Sequence, residues 1–478
     1  MLMSFTYLGV EIKMSSSNKI SLGTFIGIGM AMIATVRSVP TLAAASWQMF
    51  FYLIFAVIFF ALPVSIMSGE FSSMLPDAGG PQLWVRTGLG SKWGFTTAWL
   101  LWVQIFPGMV MVASTLGPLL GNTIGNQVLG QNHWFTLACI IIIYWIITLL
   151  NLKFDMAKFA GNFGVWFGVY IPFAVMIVMG VAALAKTGIN VNSVLGSFSA
   201  GKLIPDVSTL KYVAAISFIF TGIETLGVYV PRMKKSNDFV TGVIFALVAM
   251  VILNLLNAFI VADVVPKGNT ELTNITQPII LFCKILGWPL WIANVFSLLA
   301  AVGVSLQLSG WVTGPSQSMI QVAREGLVPS KWGFFKHNDI GVAKNVILTQ
   351  TTMITLFALM YALPDINSVF LMLTNTTTLL YCVLYFLIAI AFIRLRYTQP
   401  DTKRPYRVGK SGNAAAWIWT ILFIFGIFAI GIVTVATAGT VNGIAMVVIT
   451  VVMTVIPLMI NSHKKDQWLK DAQAYENK

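Results

Sequence analysis

The chain has 478 residues, 57% of them hydrophobic and only 9% charged, and its mean hydropathy is +0.84. This excludes a soluble protein of such length and places the chain in a bilayer. The formal net charge of +13 would suit a nucleic-acid partner, but its placement along the chain follows membrane topology instead.

A helix needs about 20 apolar residues to cross a hydrocarbon core of about 30 Å. Twelve such runs occur, at roughly 20–45, 48–68, 93–121, 134–152, 161–185, 212–231, 239–262, 285–313, 345–363, 367–393, 414–437 and 441–461. They cover nearly the whole chain and leave no room for a soluble catalytic domain. The first run is too long for a signal-peptide core and is read as a retained helix. Met14, followed by SSSNKIS, is an alternative start that would make residues 1–13 an extension without a role.

Two spans carry signs of interruption. The first, GTFIGIGMAMIATVRSVPTLAAAS, sets small residues (Gly23, Gly27, Gly29, Ala34, Thr35) before Arg37 and Pro40. The sixth, SFIFTGIETLGVYV at 217–230, sets Thr221 and Gly222 directly before Ile223 and Glu224. A membrane helix breaks only where its freed backbone groups find partners in protein or water. Breaks five spans apart suit two five-helix repeats of opposite orientation, and such paired breaks point to a midplane substrate site. There a half-helix N-terminus offers N–H groups and a positive dipole end to a carboxylate, while free carbonyls of the other break take an ammonium. An α-amino acid carries both groups. On this reading Ala34 and Thr35 present backbone N–H groups to the α-carboxylate, and the carbonyls from Phe218 to Thr221 receive the α-ammonium. The competing reading of the glycines is close helix packing, for which Gly23 and Gly27 form a GxxxG. Glu224 is harder to dismiss, because an acid deep in a membrane helix usually faces a protein interior or a water-filled cavity and marks function.

Arg37 has three readings. It could hold a substrate carboxylate with its planar fork, close a gate by pairing with Glu224 or Asp263, or snorkel to the outer surface. Burial of Glu224 and nearness of Arg37 would act on its protonation in opposite senses.

With the N-terminus inside, 23 Lys and Arg fall on cytoplasmic segments and five outside (Lys186, Lys202, Lys211, Lys267, Lys284), with Arg37 inside a span. That asymmetry is the positive-inside signature. The densest basic cluster, RLRYTQPDTKRPYRVGK at 394–410, is expected to be a cytoplasmic loop facing anionic lipid rather than nucleic acid. Cys139, Cys283 and Cys382 are isolated, and His133, His337 and His463 lie far apart. No disulfide framework, metal site or Ser/His/Asp triad is indicated, and no cofactor is expected.

With FTGIET on the sixth span, the chain resembles the amino acid/polyamine/organocation (APC) transporters, and among them the glutamate:GABA antiporter family. Three further stretches carry the resemblance: PVSIMSGEFSSMLPDAGGPQLWVRTGLGSKWGF (63–95), GWVTGPSQSMIQVAREGLVPSKW (310–332) and YCVLY (381–385). The likeness runs from about residue 20 to 461. It implies an all-α membrane fold of twelve transmembrane helices, a five-plus-five inverted repeat (LeuT-like) with two extra helices. The corresponding segments are a cytoplasmic N-terminal stretch (1–19), a ten-helix transport core (20–393), a basic loop (394–413), two additional helices (414–461) and a short tail (462–478).

The resemblance also implies roles. Glu224 matches the acid that links protonation to the substrate site, Phe218 an aromatic lid, and Tyr381 and Tyr385, on one helix face, pathway tyrosines. Trp311 matches a pathway tryptophan. This sequence departs from the glutamate:GABA exchangers at Gln307, where they have a glutamate, and at Arg37, where they have a tyrosine. Its tail is also shorter than the plug that closes those exchangers, which puts acid gating by such a plug in doubt. Arg37, Gln307, Trp311, Tyr381 and Tyr385 are expected to read the substrate side chain. Arg37 favours an acidic substrate, the rings an aromatic one.

The expected function is therefore exchange of an external amino acid for an internal amino acid or its decarboxylation product, glutamate:GABA-like or tyrosine:tyramine-like, by alternating access. Proton-coupled symport is the alternative. A channel would need rings of filter residues, a sensor a soluble output domain, and a membrane enzyme a catalytic constellation; none is visible. Small amino acids and amines are the expected partners, in a plasma membrane with both termini cytoplasmic.

Overall fold

A computed structural model describes residues 3–7, 10–14, 20–33, 36–75, 80–154, 156, 164, 166–235, 238–314, 316–338, 341–409 and 412–476. Near the N-terminus, β1 (Met3–Tyr7) and β2 (Val10–Met14) form an antiparallel hairpin with Met3 opposite Met14. The rest of the described architecture is helical, as apolar runs of this length require: inside a bilayer every backbone polar group must be satisfied within the chain, and the helix does so locally.

In chain order the first helices are α1 (Leu22–Ile33), α2 (Val39–Ala44), α3 (Met49–Ala56) and α4 (Leu62–Met74). There follow α5 (Pro81–Leu89), α6 (Ser91–Val103), α7 (Ile105–Ala113), α8 (Leu116–Thr123), α9 (Gln127–Gly130) and α10 (His133–Lys153). The middle of the chain holds α11 (Ile171–Thr187), α12 (Val213–Phe218), α13 (Asp238–Val264), α14 (Gln277–Leu286), α15 (Trp291–Thr313) and α16 (Ser316–Arg324). The last are α17 (Lys344–Ala358), α18 (Ile366–Thr398), α19 (Ala414–Thr437), α20 (Thr440–Ser462) and α21 (Asp466–Glu476). Pro40, Pro81, Pro172 and Pro278 sit in the first turns of their helices, where a missing N–H costs nothing.

Among the described residues, eleven helical stretches are long and apolar enough to cross a membrane. The first apolar run is not among them; its residues 34 and 35 lie outside the described residues. Four spans differ from the sequence expectation. The second, expected to end at 68, continues as α4 to Met74. The third, expected as one helix over 93–121, is α6, α7 and α8 in series, with Pro107 and Pro118 in the first turns of the later two, where no N–H is available to continue the preceding ladder. The eighth begins at Trp291 rather than 285, because Gly287 at φ +74° ends α14 and Pro289 follows it. The tenth, expected to end at 393, continues as α18 to Thr398, which puts Arg394 and Arg396 on the helix.

The buried face of each helix meets neighbours rather than one central layer. The first span lies along the seventh, α1 on α13, and α4 packs against the irregular second half of the sixth span. At that contact a Cβ added to Gly227 would stand 2.6 Å from the Ser68 carbonyl oxygen, so only glycine allows this approach. α18 runs past α5, α12 and α19, bringing the tenth span beside the sixth. The tail helix α21 docks on α16 and the turn at 330–332, with Ala472 buried.

The GxxxG reading of the first span is not what the structure shows. Gly23 and Gly27 are exposed, and a Cβ added to either would have no neighbour within 4 Å.

Candidate functional site

The sixth span is interrupted, and in the first a 3-10 turn, Val36–Ser38, leads into α2 beyond α1 (Leu22–Ile33). Ala34 and Thr35, the expected N–H donors, lie outside the described residues. In the sixth span α12 ends at Phe218, residues 219–222 form a turn, and a 3-10 stretch runs from Ile223 to Arg232. Gly222 is the pivot: its φ of +90° lies in the left-handed region, which residues with a Cβ enter only with strain. α1 packs against the 3-10 stretch, and Ile20 bridges in parallel to Met233, so the two broken spans adjoin.

The break frees backbone groups as well as bending the chain. The Phe218 carbonyl accepts from both the Thr221 N–H and the Thr221 hydroxyl, and the Phe220 carbonyl accepts from the Ile223 N–H. No described hydrogen bond ends on the carbonyls of Ile219 and Thr221. The Ser217 hydroxyl is buried and has no hydrogen-bond partner among the described residues. Ser217 was not singled out in the sequence; a serine in an apolar span is too common a residue to signal a role on its own.

Glu224 is 2% exposed. Its carboxylate accepts a 2.9 Å hydrogen bond from the Tyr385 hydroxyl, and that hydroxyl accepts a 3.3 Å bond from the Gly222 N–H. The broken helix, the tyrosine of α18 and the buried acid thus form one chain of donors and acceptors. No lysine or arginine forms an ion pair with Glu224 among the described residues. Tyr385 is packed between Phe60 and Phe423 and stacks on Tyr381 at 5.4 Å, while Phe218 meets Tyr381 edge-on at 6.1 Å. Four of the sequence-derived residues, with Gly222 and Thr221 beside them, therefore form one cluster.

Arg37 and Gln307 form another. The Arg37 guanidinium donates a 2.8 Å hydrogen bond to the Gln307 side-chain carbonyl, joining the first span to the eighth. Of the three readings of Arg37, the gate is not seen: no described ion pair links it to Glu224 or Asp263, and Asp263 instead accepts from the Asn190 N–H at 2.9 Å. Asp263 lines a separate cavity of about 420 Å³ between α11, α13 and α14, away from both breaks. Trp311 joins neither cluster and is 39% exposed. Beyond the first break, the Ser38 hydroxyl donates to Asn254 of α13, a fully buried asparagine the sequence reading passed over.

Two arginines of the basic segment after the tenth span depart from the expectation. Arg396 and Arg404 do not face lipid: their side chains are 1% and 4% exposed, and both pair with Glu70 of α4, whereas Arg394, Lys403 and Arg407 are exposed. A count of charge along the chain could not reveal this, because the partner lies more than 300 residues away.

The described residues contain no cluster of three or more His, Cys, Asp or Glu suited to a metal ion. The arrangement offers hydrogen-bond donors, acceptors and rings around a helix break.

The chain matches the model of the amino acid permease family over residues 15–456. It is 27% identical over 429 residues to the glutamate/gamma-aminobutyrate antiporter of Lactococcus lactis subsp. lactis, covering 87% of this chain and 83% of that one. It is 25% identical over 408 residues to the transporter lpg1691 of Legionella pneumophila, covering 83% and 85%. To the arginine/ornithine antiporter ArcD1 of Lactococcus lactis subsp. cremoris it is 25% identical over 359 residues, covering 68% and 64%. The chain belongs to the amino acid permease family of APC transporters and stands close to the glutamate:GABA antiporters.

Proposed function

We propose that the chain is a twelve-helix plasma-membrane amino acid antiporter working by alternating access, with its substrate site between the broken first and sixth spans. The hydrogen-bonded series from the Gly222 N–H through Tyr385 to Glu224 carries this reading. It ties the backbone break, where an amino acid would bind, to a buried acid whose charge a proton would cancel. A lone buried carboxylate is costly, so a proton arriving or leaving there would change the balance between conformations. The carbonyls of Ile219 and Thr221 would take the α-ammonium, and Ala34 and Thr35 the α-carboxylate. The core would be residues 20–393, with both termini cytoplasmic, in keeping with the distribution of Lys and Arg.

The substrate reading rests on Arg37. It is paired with a neutral amide, and no described acid offsets its charge, so an anionic substrate group would complete it. This favours an acidic amino acid exchanged for its decarboxylation product, like the pair in the name of the Lactococcus lactis relative. The Phe218 and Tyr381 rings favour a second reading, an aromatic amino acid exchanged for its amine. Trp311 keeps only its expected role in the pathway.

Counterflow in proteoliposomes tests the proposal. Vesicles are loaded with a radiolabelled amino acid and challenged with external glutamate, GABA, aspartate, tyrosine, tyramine, histidine or histamine at acid and neutral pH. Release that requires an external partner supports exchange and names the pair. Uptake driven by a pH gradient with no partner would mean proton symport instead.

A further inference from the structure

The second span carries a buried ion cluster that the proposed site does not use. Glu70, 2% exposed near the end of α4, accepts from the Arg396 guanidinium at the end of α18 and from the Val408 N–H at 2.7 Å. Arg404 stands 3.1 Å from its other oxygen. Arg396 also donates to the Val408 carbonyl at 2.7 Å, and the Ser73 hydroxyl donates to the Tyr406 carbonyl at 2.8 Å. Arg404 turns back to the Leu395 and Gln399 carbonyls at 3.1 and 2.9 Å. The segment from Gln399 to Val408 is thereby folded onto α4, and the Tyr406 ring lies against Phe239 of α13 at 5.6 Å.

What this cluster joins is informative. On α4, Ser68 is the residue against which Gly227 of the sixth span makes its close approach, two positions from Glu70. On α18, Tyr385 and Arg396 are separated by about three turns, roughly 16 Å, and so lie on nearly the same face. One face of α18 therefore meets the unit formed by α4 and the sixth span twice. Tyr385 reaches Glu224 at the break, and Arg396 reaches Glu70 at the helix end.

We infer that Glu70 is a positioning residue for transport: its grip on Arg396 and Arg404 sets the position of α18 along the sixth span, and through it the contact of Tyr385 with Glu224. This rests on the transport reading above but invokes no contact between Glu70 and substrate. Glu70 acts on the rate at which the site changes state, not on the affinity of the site. Two cations on one carboxylate hold the helix end against the second span, and neutralising that carboxylate leaves both buried without a counter-charge.

The test uses the full-length protein in a Cys139→Ser/Cys283→Ser background, leaving Cys382, which is half-buried on α18. N-ethylmaleimide labelling of Cys382 reports the position of α18 without any substrate. Counterflow with the radiolabelled amino acid that exchanges fastest gives rate and KM per monodisperse transporter. For Glu70→Gln the expected result is a labelling rate changed about fivefold and an exchange rate lowered about tenfold, with KM within about twofold of wild type. Glu70→Asp and Arg396→Lys, which keep the charges, should fall between. Wild-type labelling and exchange in monodisperse Glu70→Gln overturns the inference. Should Glu70→Gln not be monodisperse, the two conservative variants decide by the same readouts, and wild-type values in both overturn it. A wild-type protein that exchanges nothing defeats the transport reading, while the labelling comparison still tests the role of Glu70 in placing α18.

Discussion

Glu70 and Glu224 are equally buried, each 2% exposed, yet their surroundings are opposite. Glu70 is held by two arginines and a backbone N–H, so its charge is compensated and its bonds tie four parts of the chain together. Glu224 has one side-chain partner, the neutral hydroxyl of Tyr385. A buried charge persists only when paired and hydrogen-bonded. The first acid is therefore built to hold a position, and the second, with no counter-charge among the described residues, is the one proposed to be linked to a proton. Depth in the membrane alone does not tell a charge-paired carboxylate from one without a counter-charge; the partners do.

Removing partners is the way to break this contrast. The largest effect is expected at the compensated site. Glu70→Ala strands Arg396 and Arg404 and should cost about 3–5 kcal/mol, read as a marked drop in the thermal midpoint of the detergent-solubilised protein. A midpoint within experimental scatter of wild type would mean the cluster is not what holds α18 to α4. At the other acid, Tyr385→Phe deletes the donor to Glu224 and the acceptor of the Gly222 N–H, and should cost about 1–3 kcal/mol. Its exchange should also depend on pH differently from wild type. Gly222→Ala meets open space but a φ of +90°, so the loss is conformational, about 1–2 kcal/mol. Crowding plays no part, and Gly222→Asn should be milder than Gly222→Val.

The smallest effect lies at the tail. Asp471 on α21 accepts from the Ser330 hydroxyl and from Gln467, both at 2.6 Å, and these bonds hold its carboxyl below the usual aspartate range. A depressed native value means that the docking contribution is present above the unfolded value, about 3.9, and is lost as pH falls through the native one. The Arg324–Glu476 pair and the Tyr475 bond to the His337 carbonyl support the same contact. Amide protection in α21, corrected for the intrinsic pH dependence of exchange, should therefore fall on acidification in wild type and depend less on pH in Asp471→Asn. An equal response in both would remove Asp471 from this contact.

Much of the site could be read from residue order because it depends on local chemistry. Gly222 beside a carboxylate in an apolar run signals a break, and Arg37 with Pro40 does the same in the first span. The stacked Tyr381 and Tyr385 follow from a spacing of four. What stayed hidden were partners distant in sequence. Arg37 and Gln307 both stood out as departures from the related exchangers, but their 2.8 Å contact spans 270 positions. Glu70 stands in one motif and the basic segment at 394–410 in another; only folding shows that two of that segment's arginines, Arg396 and Arg404, pair with Glu70. Trp311, placed by resemblance alone, shares no described contact with the residues around the breaks.

The account turns on Glu224 as the group whose protonation is coupled to exchange. The most direct measurement is the pH profile of counterflow for wild type and Glu224→Gln, reconstituted side by side and normalised to folded protein. Glutamine keeps the shape and can still accept from Tyr385, so the variant should fold and exchange with a much flatter dependence on pH. A Glu224→Gln protein whose profile follows that of wild type would contradict the account and move the proton-linked step elsewhere in the molecule.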